Sequence, residues 1–329
     1  MPAARHGRAT LMPPDGILRR QLPPDLGGQR LDQALAELLP EFSRSRLQQW
    51  IDAGRVQLDG RPCRRRDRVW GGEELWLEPV LEPEDTCQPQ DIPLELIYED
   101  EDLFVINKPA GLVVHPAAGN RDGTLQNALL HRAPALAQLP RGGLVHRLDK
   151  DTSGLLVVAR TLQAHKSLVE QLQAREVHRE YRALVTGVPS GPGRVEAPVG
   201  RHPRVRTQMA VVAGGRPAVT HYRVLETFAA HALLGLRLET GRTHQIRVHL
   251  AHIRYPILGD PVYGGRPRPP KGAPAHLVAA LRAFPRQALH AIRLGLRHPR
   301  TGEDMAWEVP LAADMAALLA LLRAEEGGR

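Results

Sequence analysis

The sequence predicts an α+β protein: a large domain built on a mixed, mainly antiparallel sheet, preceded by a small α/β unit. Three observations carry this. Short apolar runs recur in hairpin order along most of the chain, with helical patterns between groups of them. The first 80 residues contain two amphipathic helix patterns and a hairpin signal, enough for a compact unit of their own. Between the two, from Glu82 to Asp102, nine acidic residues occur without a lysine or arginine, and Pro83, Pro89 and Pro93 stiffen the segment.

Residues 1–27 are expected to be a disordered arm, most clearly over 1–15, where proline, arginine and small residues dominate. Pro13, Pro14 and Gly16 interrupt any amphipathic targeting helix, and no apolar signal-peptide segment is present. The first unit spans 28–80. Leu31, Leu35, Leu38 and Leu39 fall on one helical face. Ser43 reads as the N-cap of a second helix with Leu47, Trp50 and Ile51 as its stripe, ended by Gly54. Val56 and Leu58 alternate into Asp59-Gly60, a tight-turn dipeptide, and Leu75-Trp76-Leu77 reads as a closing strand. Arg44, Arg46, Arg55, Arg61, Arg64, Arg65, Arg66 and Arg68 crowd the second helix and the hairpin, as a phosphate-tracking patch would. The bland alternative is a solvated face.

Residues 81–91 are expected to be an acidic linker and 92–329 one large domain. Leu94, Leu96 and Tyr98, then Leu103-Phe104-Val105-Ile106, form a strand pair. Helices are expected from Thr124 and over Leu162 to Ala174, and a strand over Tyr181 to Val188. Thr220–Thr227 and Leu233–Thr240 make a hairpin. Thr243 is expected to cap a helix carrying Ile246, Leu250 and Ile253. Two late strands, Ala291–Leu296 and Ala306–Val309, precede a C-terminal helix over Ala312–Glu325.

Bulk properties narrow the function. The chain has 329 residues, 42% hydrophobic, and no apolar run reaches the roughly 18 residues that a membrane span needs. Two isolated cysteines, Cys63 and Cys87, supply neither a disulfide framework nor a zinc site, which fits a reducing cytoplasm. His244, His249 and His252 lie close together without a carboxylate at zincin spacing, so no metal is expected there. The net charge of +8 favours a polyanion as partner. Only four of the 44 basic residues are lysines, and two of them, Lys108 and Lys150, stand in motifs that carry chemistry.

The most informative stretch is His146-Arg147-Leu148-Asp149-Lys150-Asp151-Thr152-Ser153-Gly154, between Arg141-Gly142-Gly143 and the buried-strand run Leu155–Ala159. Turn formation needs Asp, Ser and Gly, but not this density of His, Arg, Asp and Lys. A protein-kinase loop is excluded: Leu148 separates Arg147 from Asp149, and no glycine-rich phosphate loop precedes it.

This stretch resembles the signature of the RluA-type pseudouridine synthases. Three more segments agree, in the family's order: Asn107-Lys108-Pro109-Ala110-Gly111, Arg179-Glu180-Tyr181, and Thr240-Gly241-Arg242-Thr243-His244-Gln245-Ile246-Arg247-Val248-His249. The unit at 28–80 resembles the S4-like RNA-binding domain that often precedes this catalytic domain. The tail Asp260–Gly272 is most similar to the RluD type, which modifies large-subunit ribosomal RNA.

The resemblance implies a pseudouridine synthase fold and isomerisation of uridine to pseudouridine in RNA. Neither cofactor nor metal is implied, and the protein would work as a monomer on ribosomal RNA, in the helix 69 stem-loop. It implies that Asp149 is the catalytic carboxylate, Arg247 its basic partner and Tyr181 the aromatic that stacks on the target base. Arg147 would enter the space that an extruded uridine leaves; a salt bridge to Asp151 is its structural alternative. Two rival readings are a non-catalytic RNA-binding protein, and a nucleoside hydrolase, which needs a second carboxylate, with Asp151 the nearest candidate.

Overall fold

A computed structural model describes residues 17–39, 42, 44–79, 87–117, 119–265 and 268–327. The chain divides into two compact units between Thr86 and Cys87.

The first unit is a four-stranded sheet with two helices. Its elements are β1 (Leu18–Gln21), α1 (Leu31–Leu38), α2 (Arg44–Asp52), β2 (Val56–Leu58), β3 (Arg61–Pro62) and β4 (Glu74–Leu77). The strands are ordered β1-β4-β2-β3, all antiparallel. Asp59 and Gly60 both take positive φ, so the expected tight turn joins β2 to β3. Leu31, Leu35 and Leu39 from the predicted helical face are buried with Leu47, Trp50 and Ile51. Ser43, the expected cap of α2, lies outside the described residues.

One boundary is corrected. Residues 17–27 are not a disordered arm. Leu18, Leu22 and Leu26 are buried in the core of this unit, and β1 pairs with β4 along its whole length. The strand carries no alternating pattern because it sits at a sheet edge and exposes Arg19, Arg20 and Gln21 in succession. Only residues 1–16 of the expected arm lie outside the described residues.

The second unit begins earlier than the expected linker allows. Residues 80–86 are outside the described residues, but Cys87 to Asp91 belong to the large domain. The Asn127 side chain donates to Gln88 O (2.7 Å), and Gln90 N donates to Asn127 O (3.0 Å).

The large domain is built on β5 (Glu95–Glu99), β6 (Leu103–Lys108), β7 (Ser153–Ala159), β8 (His178–Thr186), β9 (Gly193–Glu196), β10 (Val199–Arg201), β11 (Met209–Val211), β12 (Val219–Thr227), β13 (His231–Leu238), β14 (Leu289–Arg297) and β15 (Asp304–Glu308). Nine of these strands form one sheet, ordered β5-β6-β7-β14-β8-β13-β12-β9, with β15 on β14; β10 and β11 pair apart. Every pairing is antiparallel except β7 with β14. The helices are α3 (Leu125–Arg132), α4 (Leu162–Ala174), α5 (Gln245–His252), α6 (Ala275–Ala283) and α7 (Ala313–Gly327).

Alternation along β6 shows how the sheet is covered. Leu103 and Val105 pack with Ala164 and Leu168 of α4, whereas Phe104 and Ile106 pack in the larger core with α3, α5, α6 and α7. All seven residues of β7 are therefore buried, as a strand covered on both faces requires. The parallel pairing brings β7 very close to β14. A Cβ on Gly154 would stand 2.2 Å from Ala291 O, and its φ is +112°. Glycine is thus required at the point where the signature loop enters the sheet. Among the described residues no helix is long and apolar enough to cross a membrane.

Candidate active site

Asp149 lies in the turn just before β7, closed by Thr152 N donating to Asp149 O (3.1 Å). The turn is braced from three sides. Lys108, fully buried at the end of β6, donates to Pro109 O (2.7 Å), Leu112 O (2.9 Å) and Lys150 O (2.9 Å). Arg286 donates to Asp151 O (3.0 Å), and Gln287 donates to the Thr152 hydroxyl (3.1 Å). Burial pulls the Lys108 pKa down to about 7, against the attraction of Asp151 and Asp149. The lysine of Asn107–Gly111 is thus a brace for the backbone of the Asp149 loop.

Arg247 sits on α5 and is buried. Its Nη1 donates to Asp149 Oδ2 (3.0 Å), while Nε and Nη2 grip both oxygens of Asp260 (2.7 and 2.9 Å). The Asp260 side chain is itself fully buried, and its Oδ1 also accepts from Val262 N and Tyr263 N. Such a forked, charge-assisted pair fixes the guanidinium in one orientation. Burial opposes the Arg247 charge, but Asp260 and Asp149 outweigh it and raise the pKa above the usual arginine value. Asp260 falls in the tail segment that carries the resemblance, and its spacing alone assigns it no role. It is what turns Arg247 into a fixed cation.

The segment before α5 is held differently from the expectation. Thr243 does not cap the helix. His244 occupies that position with φ +55° and makes no capping bond. The anchor is the Gln245 amide. Its oxygen accepts from the Thr240 hydroxyl (2.8 Å) and Arg242 N (3.0 Å), and its nitrogen donates to Val219 O and the Thr220 hydroxyl (both 3.0 Å). The left-handed turn at His244 places its Nε2 3.8 Å from Asp149 Oδ1 and its Nδ1 2.8 Å from the Tyr263 hydroxyl. Burial lowers the His244 pKa, although Asp149 pulls the other way. When Nδ1 accepts from the phenol, the neutral ring carries its proton on Nε2, the nitrogen that faces Asp149. His249 uses both ring nitrogens, on the Thr220 hydroxyl and Ala197 O (2.9 Å each), so it is a packing histidine.

Tyr181 lies on β8, with its Cα paired to Ala291 and Leu236. It is buried, and burial raises its phenol pKa, so the hydroxyl stays protonated at neutral pH. Asp149, Tyr181 and Arg247 all line one cavity of about 580 Å³, a volume typical of ligand sites. Arg147 lines it as well. It is exposed and makes no ion pair among the described residues, so the alternative salt bridge to Asp151 does not form.

The basic patch of the first unit is partly spent internally. Arg44 pairs with the buried Asp32 (2.7 Å), Arg55 with Glu78 (3.6 Å), and Arg65 grips Asp52. Arg68 donates to Gly28 O (2.7 Å). Arg61, Arg64 and Arg66 are exposed and their side chains have no acidic partner among the described residues. Arg46 is half-buried in α2.

A carboxylate pinned by a locked arginine, beside a buried tyrosine in a nucleotide-sized cavity, defines a class of protein that comparison identifies. The profile of the family described as "RNA pseudouridylate synthase" matches residues 102–252, and that of the "S4 domain" matches 29–75. The chain belongs to the RNA pseudouridylate synthase family, with an S4 domain ahead of the catalytic domain. Within the family its likeness is to the RluD type. It is 59% identical to "Ribosomal large subunit pseudouridine synthase D" of Pseudomonas aeruginosa, over 92% of this chain and 95% of that one. It is 56% identical to the protein of that name from Escherichia coli K12, over 91% and 92%. Among solved structures, "Human RNA Pseudouridylate Synthase Domain Containing 4" superposes with a TM-score of 0.55 at 29% identity, over 70% of this chain and 93% of that chain.

Proposed function

We propose that this chain isomerises specific uridines to pseudouridine in large-subunit ribosomal RNA, in the helix 69 stem-loop, with Asp149 as the catalytic carboxylate and no cofactor or metal. The observation that carries the reading is the Asp149–Arg247–Asp260 chain at the wall of a cavity shared with Tyr181.

The chemistry follows from charge. Breaking the C1′–N1 bond leaves positive character on the sugar and negative character on the base. A fixed carboxylate at Asp149 stabilises the sugar or bonds to it, and Arg247 holds that carboxylate still. The uracil turns, C5 bonds to C1′, the proton on C5 leaves, and N1 regains one, so the product is an isomer. Tyr181 offers a ring for the base to stack on, and its protonated phenol is a group through which the C5 proton can pass. A paired uridine must first leave its helix, and Arg147, exposed and without an acidic partner, is the side chain suited to fill the gap. RNA is the partner, reached by a monomer in the cytoplasm.

The hydrolase reading loses ground on the second carboxylate. Asp151, the expected candidate, does not line the cavity, and Asp260, bound to Arg247, is fully buried and held on both oxygens, so it cannot activate water. Pseudouridine mapping of ribosomal RNA from cells with and without the gene tests the proposal. Loss of pseudouridines confined to helix 69, restored by the wild-type gene, is expected; loss at other sites would overturn the substrate assignment. Free uracil released from RNA by the purified protein would overturn the isomerase reading.

A further inference from the structure

Arg179 lines the cavity, and the reaction just described does not use it. It lies on the same face of β8 as Tyr181, two residues earlier, and is only 7% exposed. Its Nε is buried with no hydrogen-bond partner, and its side chain makes no ion pair among the described residues. The guanidinium sits beneath the rim formed by Gly241, where a Cβ would come within 2.8 Å of Arg179 Nη1. Gly241 has no positive φ, so its glycine keeps space at the rim and serves no turn.

A buried cation without an anion is costly, and the usual remedy is a paired carboxylate. None is supplied here. Six arginines line the cavity against two acids, Asp149 and Glu239. Arg247 is committed to Asp149 and Asp260, and Arg175 to Glu239 (2.9 Å). Arg141, Arg147, Arg179 and Arg242 have no acidic partner among the described residues, and Arg242 donates instead to Pro217 O (3.2 Å). A uridine is neutral, and only its flanking phosphates bring negative charge. Two residues along a strand separate Arg179 from Tyr181 by roughly 6.5–7 Å, a distance that a nucleotide spans from base to phosphate.

We propose that Arg179 forms a phosphate subsite inside the cavity, binding a backbone phosphate next to the target uridine as the base is seated against Tyr181. The inference rests on the reading that the Asp149 cavity receives the target nucleotide. The anion missing from the free protein arrives with the RNA. The planar guanidinium fork suits phosphate oxygens. Recognition of backbone positions the substrate and carries no sequence information.

The experiment uses the full chain and a helix 69 stem-loop RNA, with kcat, KM and Kd measured for wild type, Arg179→Gln, Arg179→Lys and Asp149→Asn. Arg179→Gln should raise KM and Kd about ten- to hundredfold, with kcat little changed, and Arg179→Lys should recover part of the loss. The melting temperature of Arg179→Gln should equal or exceed that of wild type, because an unpaired buried charge is removed. A methylphosphonate placed singly at the linkage 5′ or 3′ of the target should weaken wild-type binding at one of the two positions and leave Arg179→Gln no weaker there. A fall in kcat at constant KM would move Arg179 to the departing base and overturn the proposal. So would equal methylphosphonate losses in both proteins, or a lower melting temperature with unchanged RNA binding. Activity in Asp149→Asn would instead overturn the underlying reading of the cavity; an inactive Asp149→Asn beside an unaffected Arg179→Gln would sink the phosphate subsite alone.

Discussion

At the scale of single residues, the site depends on one guanidinium shared by two carboxylates. Asp149→Asn keeps the size and polarity of the side chain while removing its charge. Turnover should fall on the order of 10³-fold or more, with RNA affinity and melting temperature close to wild type; substantial residual turnover would remove Asp149 from the chemistry. Arg247→Met should behave differently, because it strands two acids. Asp260 is fully buried, and a buried carboxylate robbed of its partner costs about 3–5 kcal/mol. The expected result is an inactive protein that also melts at clearly lower temperature. Arg247→Lys should not restore it, since a point charge cannot bridge Asp149 and grip both oxygens of Asp260. A variant that lost activity at unchanged stability would show the Asp260 clasp to be slack. Asp149, Tyr181 and Arg247 were each legible in the sequence, because each stands in a motif. Their meeting in space was not, since Asp149 and Arg247 are 98 residues apart. Asp260 and Arg179 stayed silent for a similar reason. The meaning of the first is a partner found only in space, and that of the second is the absence of one.

At the scale of elements, the loop before β7 is rigid because β6 and the segment before β14 hold its backbone. Lys108 is the clearest case. Its ammonium serves three carbonyls, one of them in the Asp149 turn. Lys108→Met removes the donor that ties these oxygens together and leaves Lys150 O held by Gly111 N alone (3.0 Å), and misplacement of a reacting group by about 1 Å costs on the order of 10²-fold. The variant should therefore lose kcat by about ten- to hundredfold with KM little changed. Single-turnover rates on saturating RNA measure this directly, and an unaltered rate would show that the turn holds itself. Most elements of the large domain were legible from their periodicity; the helix over Leu162–Ala174 matches residue for residue. Polar edges and side-chain anchors were not. The edge strand β1 shows three exposed polar residues in a row, and the start of α5 is fixed by the Gln245 amide where a threonine cap was expected. The parallel pairing of β7 with β14 could not be read either, because it joins segments more than a hundred residues apart around a glycine.

At the scale of the whole molecule, two properties follow: how the catalytic domain meets acid, and what the first unit contributes. Burial pushes the His146 pKa down to about 3, helped by Arg179, and its Nε2 accepts from Val157 N (3.1 Å). Burial likewise takes His290 down to about 4. Below the ordinary value of 6.5 the unfolded chain gains protons that the folded chain refuses. Stability should thus decline as pH falls from about 6.5 toward 3, and melting temperatures across that range should drop less steeply in His146→Asn, whose amide accepts the same bond without titrating. Parallel slopes would mean that carboxylates alone set the acid limit. The first unit is a separate matter, tested by removing residues 1–86. The cut belongs there and not at 91, because Gln88 and Gln90 are bonded to Asn127 of the large domain. The shortened protein holds every residue of the proposed site, so it should fold and isomerise uridine, with weaker binding and poorer choice of site. Arg44, Arg55 and Arg65 are already neutralised by acids of their own unit, which leaves Arg61, Arg64 and Arg66 as its clearest ligands for phosphate. Every phosphate that the shortened protein no longer neutralises should flatten the dependence of log K on log salt by about 0.7–0.9. A change in slope matching the three free arginines is therefore expected on a ribosomal stem-loop. An unchanged slope would make the arginines a solvated face, and a change of twice that size would mean that RNA breaks the internal ion pairs when it binds.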